Sequence, residues 1–323
     1  MPQDSVYLIQ HSNDTSILPD TVKALLNALS DSVKVISIPA SKNGAFNHNS
    51  KEGLSLATTV YLGAIVVVIV IPIFAKYIRS EVLRKRRERD YQSKEVVFDN
   101  ILQQYNPYYK SLQAEDRKRF MNRAIHFMGA KDFRYIDLQP EEMMPLLISG
   151  AAVQLTFGLH NYLLDYFKTI YVLRDNYRYG FNIMPFEGHV NGEGIYLSWN
   201  NFIREYKDYS DGQNVGLHEL AHALTYVNFT VHDGMDRNFH DKFKDFSQVA
   251  RPVFERMQSG KASLFDTYAA TNYQEFWACC IETFFERPEE FKKQIPDLYF
   301  ALCRLLNQDP LTPEKIISLY ETA

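Results

Sequence analysis

Residues 216–224 read GLHELAHAL, which places His218 and His222 four positions apart with Glu219 directly after the first histidine. On an α-helix, positions i and i+4 lie one turn apart on the same face. Both imidazoles can therefore address one metal ion. Glu219 projects from a neighbouring sector and reaches past that ion to a bound water. Zinc lowers the pKa of such a water to about 7. A carboxylate in reach takes the proton and can later pass it to a leaving amine. The H-E-x-x-H spacing thus predicts hydrolysis at a single zinc ion. The plainer alternative is a helix that happens to carry two polar side chains on one face.

A catalytic zinc needs a third protein ligand. The metzincin continuation H-x-x-G-x-x-H fails, because Thr225 stands at its glycine and Asn228 at its last histidine. The remaining candidates are His232, Asp233, His240, Asp241, Glu275 and Glu282. Asp233 and Asp241 lie in a polar stretch and read as solvated charges, whereas His232 and His240 stay open on spacing. Glu275 and Glu282 lie in YQEFWACCIETFFE, an otherwise apolar helical segment. An acid there is costly unless it is paired or bound to metal. Seven residues apart, the two share a helix face, so one can be a ligand and the other a partner of a ligand histidine. Residue types alone do not choose between them.

The elements that must position these groups follow from periodicity. SDGQNVGLHELAHALTYVNF opens a helix that Asp211 or Asn214 can cap, and residues 272–287 form another, ended by Pro288. IYVL (170–173) reads as a strand, and NGEGIYLSW (191–199) as a strand entered through a glycine turn. Residues 95–150 read as helical, with Phe120, Ala124, Phe127 and Met128 on one face. Residues 231–250 read as polar and irregular. Helices and strands without regular alternation imply an α+β fold.

The chain has 323 residues, 46% apolar and 23% charged, which describes a globular protein with a real core. A net charge of −4 gives no case for nucleic-acid binding, and none is expected. The three cysteines, Cys279, Cys280 and Cys303, have no C-x-x-C spacing and suggest a reducing compartment.

From Gly53 to Ala75 there are 23 residues without a charge. About 20 apolar residues suffice for a helix to span a bilayer, so one transmembrane helix is expected over residues 53–76. The basic run KYIRSEVLRKRRERDYQSK follows it, whereas only Lys51 lies close before it, with Lys42 further off. The positive-inside rule puts the following part in the cytoplasm and residues 1–52 outside. The expected organisation is an extracytoplasmic segment (1–52), the membrane helix (53–76), a basic juxtamembrane stalk beside the lipid head groups (77–94) and a catalytic domain (95–323).

YAATNYQEFWACCIETFFERPEEF, with PDLYFALCRLLNQDP after it, resembles the C-terminal part of the Mlc titration factor A family of zinc peptidases. LQAEDRKRFMNRAIHFMGAK resembles that family's N-terminal helices, and GIYLSWNNF with HELAH its strand and active helix. The resemblance covers roughly residues 95–310. It implies a zincin-like fold, mostly helical with a small sheet, and a gluzincin-type site similar to that of anthrax lethal factor. It also implies that Glu275 is the third zinc ligand and that Tyr268, opening the same block, stabilises the oxyanion. Glu282 then becomes a partner of a ligand histidine. The expected activity is zinc-dependent hydrolysis of a peptide or protein. The alternative is a membrane-tethered regulatory or binding protein with a structural or vestigial zinc site.

Overall fold

A small sheet sets the frame on which the helices pack. The computed structural model describes residues 71–178, 180, 185–261 and 263–312. Within them, β1 (Asp132–Ile136), β2 (Thr169–Leu173), β3 (Gly188–Asn191) and β4 (Gly194–Ser198) lie in the order β1-β2-β4-β3. The first, second and fourth run parallel, and β3 runs antiparallel to β4 at the sheet's edge. Strand β4 is buried at every position. Its GIYLS sequence is accordingly a continuous run rather than an alternation, as for a strand covered on both faces. The Asn191 side chain closes the β3–β4 hairpin, accepting from the N–H of Glu193 at 2.8 Å and of Gly194 at 3.2 Å.

The helices are α1 (Ile71–Gln92), α2 (Glu95–Tyr105), α3 (Pro107–Ser111), α4 (Ala114–Ala130), α5 (Met143–Thr156) and α6 (Trp199–Lys207). They continue with α7 (Val215–Tyr226), α8 (Arg237–Gln258), α9 (Tyr273–Glu286), α10 (Pro288–Gln294) and α11 (Pro296–Leu306). The fold is mostly helical with one small sheet, an α+β arrangement. Helix α5 is buried from Met144 to Thr156. A helix that is apolar on all sides belongs inside, and MMPLLISGAAVQLT is such a sequence. Helix α4 buries Phe120, Ala124, Phe127 and Met128 on its inner face.

Two expectations about local structure need correction, and one strand is added to those expected. Residues 132–136, inside the stretch read as helical, form strand β1, where Phe133 and Tyr135 alternate with exposed neighbours and pack on the core. Strand β3 precedes the glycine turn and pairs with the strand expected there. Most of the stretch 231–250, read as polar and irregular, belongs to the long helix α8, which runs on to Gln258. Its charges lie on one side, and Phe239, Phe246, Ala250, Val253 and Met257 are buried on the other. The Asp236 side chain caps it, accepting from the Phe239 N–H at 3.0 Å. Pro252 removes one hydrogen bond within it without ending it.

The membrane helix expected over 53–76 lies outside the described residues except for its last six positions, which open α1. Among the described residues no helix is long and apolar enough to cross a membrane. The extracytoplasmic segment 1–52 also lies outside them. The basic run forms most of α1 and leans on α4. There Arg84 pairs with Glu81 and Glu88 and lies 2.8 Å from His126 Nε2, and Arg87 donates to the Gly129 carbonyl at 2.8 Å.

Candidate active site

Helix α7 carries the H-E-x-x-H residues, and its position is fixed from several directions. Asn214 is the capping residue; its side chain accepts from the Leu217 N–H at 3.0 Å. One flank packs on β3 and β4, the other on α5 and α9. The Trp277 indole N–H, from α9, donates to the Ala221 carbonyl at 2.9 Å. Gly216 is required at the crossing with α6, because a Cβ there would stand 2.4 Å from the Phe202 ring.

On the outer face of α7, His218 and His222 meet Glu275 from the first turn of α9. His218 Nε2 lies 2.9 Å from Glu275 Oε2 and 3.1 Å from His222 Nε2, and His222 Nε2 lies 3.5 Å from Glu275 Oε2. Donors bound about 2.0–2.1 Å from one tetrahedral ion stand ~3.3–3.4 Å apart. The three atoms are therefore spaced as the edges of one coordination face. Among the described residues this trio is one of two groupings close enough to hold an ion; the other joins His218, Cys279 and Glu282.

The other side of the His218 ring explains which nitrogen is free to coordinate. Nδ1 lies 3.3 Å from Glu282 Oε1. That oxygen also accepts the Asn214 N–H at 3.0 Å. With Nδ1–H directed at Glu282, Nε2 presents its lone pair to the trio. Glu275 and Glu282 are thus distinguished by the nitrogen each faces. Further behind, Glu286 accepts from the Asn214 side chain and the Gly212 N–H, each at 3.0 Å. Glu205 accepts from the Val215 N–H at 2.6 Å. Sequence reasoning missed both acids. Glu286 had a readable signal, since it sits four residues after Glu282 on the same face of α9.

Glu219 is buried against the edge strand. A Cβ at Gly188 would lie 2.5 Å from Glu219 Cγ and 2.8 Å from its Oε1, so only glycine lets the strand come this close. Glu219 Oε2 is buried without a hydrogen-bond partner, an expensive state for a carboxylate unless something polar is bound to it. Tyr268 sits on the 3₁₀ turn Thr267–Ala270, its ring centroid 6.2 Å from that of His218, and is half-exposed.

The electrostatics of the protein groups alone are those of a cluster that shares protons between imidazoles and carboxylates. Burial pushes the Glu219 carboxyl up to about 8, with the Glu275 and Glu282 charges adding to it against the pull of His218. Burial would depress His218, but Glu282 and Glu275 override it and raise its pKa well above the usual range. Burial opposes ionisation of Glu275, yet the two histidines hold it well below the usual carboxylate range. Burial, then the Glu275 charge, raises the Tyr268 hydroxyl. A dication at the trio would replace the shared protons and favour neutral imidazoles with ionised carboxylates.

Two cavities flank these residues. One, of about 480 Å³, is lined by β3 residues, the trio, Glu219, Tyr268 and aromatic side chains from α8 and α9. The other, of about 670 Å³, shares His218, Glu219 and Tyr268 and is lined by acids including Glu187, Glu205, Asp211 and Asp266. The remaining sequence candidates lie apart. The His240 ring stacks on Phe229 at 5.1 Å, and His232 stands 6.4 Å from His240 between ring centroids. Neither joins a metal-sized grouping among the described residues. Asn228 is buried and bonds backbone groups, donating to Leu224 O at 2.8 Å and accepting from Asp236 N–H at 2.9 Å.

Comparison with known proteins gives the family. Residues 80–306 match the family described as glucose-regulated metallo-peptidase M90. Mlc titration factor A of Escherichia fergusonii is 26% identical over 235 residues, covering 64% of this chain and 84% of that protein. An uncharacterized protein of Synechocystis sp. is 25% identical over 225 residues, covering 64% of this chain and 81% of that one. Mlc titration factor A of Edwardsiella ictaluri is 30% identical over 131 residues, 38% of this chain and 49% of the relative. The chain therefore belongs to the M90 metallo-peptidase family, the family of Mlc titration factor A.

Proposed function

We propose that this protein is a zinc peptidase in which His218, His222 and Glu275 hold one ion, Glu219 is the general base and Tyr268 stabilises the oxyanion. The observation that carries this reading is the convergence of Nε2, Nε2 and a carboxylate oxygen beside a buried, unpartnered Glu219 Oε2. The donor set suits zinc, which prefers imidazole nitrogen with carboxylate oxygen and leaves a position open in catalytic sites. A zinc ion held there supplies Lewis acidity that polarises a carbonyl and acidifies water.

The protein's own groups perform the remaining tasks. Glu282 keeps the His218 proton on Nδ1 and the ring aimed outward. Glu219 takes a proton from the attacking water on its free oxygen and returns it to the leaving amine. The Tyr268 hydroxyl donates to the carbonyl oxygen as negative charge develops on it. The outer edge of β3 borders the same cavity and offers an extended peptide a strand to lie along. The substrate class is accordingly a peptide or protein.

We also retain the membrane anchor as part of the proposal. Its support is the uncharged run Gly53–Ala75 and the basic flank after it, which would place the peptidase domain in the cytoplasm. The function is tested with the purified full chain, loaded with zinc and assayed on a peptide panel beside Glu219→Gln. Wild type is expected to hydrolyse peptides, and Glu219→Gln to keep its zinc while losing about 10²- to 10⁴-fold in kcat. Equal, negligible rates from two zinc-loaded proteins would overturn the enzymatic reading in favour of a vestigial site.

A further inference from the structure

The cavity beside the trio has a wall that the hydrolytic chemistry does not need. Its lining includes Tyr226, Phe229, Phe243, Tyr273 and Trp277. Of all the residues around this cavity, the carboxyl groups are Glu219 and Glu275, both at the metal end. The far end is therefore aromatic and uncharged. The opposite cavity differs, because its acids are engaged with the protein itself. Glu205 takes the Val215 N–H, Glu282 the Asn214 N–H, Asp211 the Gln213 N–H and Asp266 the Tyr268 N–H.

The aromatic wall continues the active helix. Positions 218, 222 and 229 fall on one helical stripe, so Phe229 stands two turns beyond His222. A π-helical turn, Val227–Val231, carries it there, and such turns recur at functional sites. Phe229 is 39% exposed although it is apolar. Its ring packs against Phe243 at 4.7 Å between centroids. Phe243 in turn meets Trp277 edge-on at 5.6 Å, and Trp277 is fixed to the Ala221 carbonyl. Asn228 pins the turn between Leu224 and Asp236, and Asp236 also accepts the His160 and Asn161 N–H groups. The wall is preformed, so an apolar group entering it pays little reorganisation.

From this we infer that the aromatic lobe is the side-chain specificity pocket, taking a large apolar residue (aromatic or long aliphatic) next to the bond that is cut. The inference rests on the peptidase reading above and adds the substrate preference. About 480 Å³ is within the range of pockets that enclose small ligands, and it opens directly onto the trio. A bulky apolar side chain would bury its surface on Phe229, Phe243 and Tyr273, with Trp277 packed behind Phe243, while its carbonyl faces the metal end. A carboxylate side chain would find no opposite charge among these aromatic rings.

Two measurements test it. First, the zinc-loaded full chain digests a randomised peptide library, and the products are sequenced by mass spectrometry. Phe, Tyr, Leu and Met are expected to be enriched about 10-fold or more over Ala and Gly at one position flanking the cut. Narrowing the lobe with Thr230→Trp, or removing its rim with Phe229→Ala, should each lower the kcat/KM ratio of a Phe peptide to its Ala counterpart by about 10-fold. Melting curves establish that both variants are folded. Second, zinc-loaded Glu219→Gln is titrated with the same peptide pair, followed by tryptophan fluorescence, in which Trp277 reports on the lobe. Tighter binding of the Phe peptide by about 10-fold or more supports the pocket whether or not any peptide is cut; equal affinities overturn it. Hydrolysis without positional enrichment overturns the pocket and leaves the peptidase reading standing. Selective binding without hydrolysis by wild type supports the pocket and overturns the peptidase reading.

Discussion

The two nitrogens of His218 look into opposite surroundings. Behind the ring, Nδ1 faces Glu282, and the acids around it are saturated: Glu282 and Glu205 take the amides of Asn214 and Val215, and Glu286 takes the amide of Gly212 and the side chain of Asn214. In front, Nε2 faces a second imidazole nitrogen and a carboxylate oxygen at 3.1 and 2.9 Å, with an unpartnered carboxylate oxygen on Glu219 nearby. A buried polar cluster that is satisfied on its own terms stiffens a fold. One whose imidazoles and carboxylate converge on a single point beside an unpartnered buried oxygen is organised for a ligand. The contrast between the two sides separates positioning from chemistry within one histidine.

Substitutions on the two sides should therefore fail in different ways. On the front, Tyr268→Phe is expected to lower kcat by about 10²-fold at unchanged zinc content, measured by steady-state hydrolysis with metal analysis of the same sample. An unchanged kcat would remove Tyr268 from the front group. On the back, Glu282→Gln is expected to weaken zinc binding by about 10- to 100-fold, because the ring loses its anionic anchor. Competition against a zinc chelator measures this, and a variant that binds zinc as tightly as wild type would erase the distinction.

The smallest effect concerns pH. Burial raises Glu286 to about 9 and Glu205 to about 7, so the folded protein binds protons that the unfolded chain releases. Their contribution to stability is full below the ordinary carboxylate pKa of about 4.3 and is lost as pH rises through those folded values. Wild-type Tm should fall between pH 5 and 9, and Glu286→Gln should flatten that fall by roughly 2–4 °C. Parallel melting profiles of the two proteins would show that Glu286 is ionised in the fold already at pH 5.

Much of the front is readable in the sequence. His218, Glu219 and His222 are given by spacing on one helix, and residue type narrows its cap to Asp211 or Asn214, of which Asn214 serves. The choice between Glu275 and Glu282 was not readable, because both lie on one face of α9. What distinguishes them is the rotation of α9 against α7, a tertiary property anchored by Trp277 on Ala221. Helix α8 escaped notice because its charges and Pro252 masked a clear inner stripe, Phe239, Phe246, Ala250, Val253 and Met257. Gly188 carried no sequence signal at all, since its role is to make room for a side chain that arrives from another element.

The central claim is tested most directly by anomalous diffraction at the zinc edge from crystals of the full chain grown with zinc. The account predicts one strong peak bonded to His218 Nε2, His222 Nε2 and a Glu275 oxygen at about 2.0–2.2 Å, with Glu282 remaining on Nδ1. A peak bonded to His218 Nδ1, Cys279 and Glu282, or no peak between α7 and α9, would contradict it.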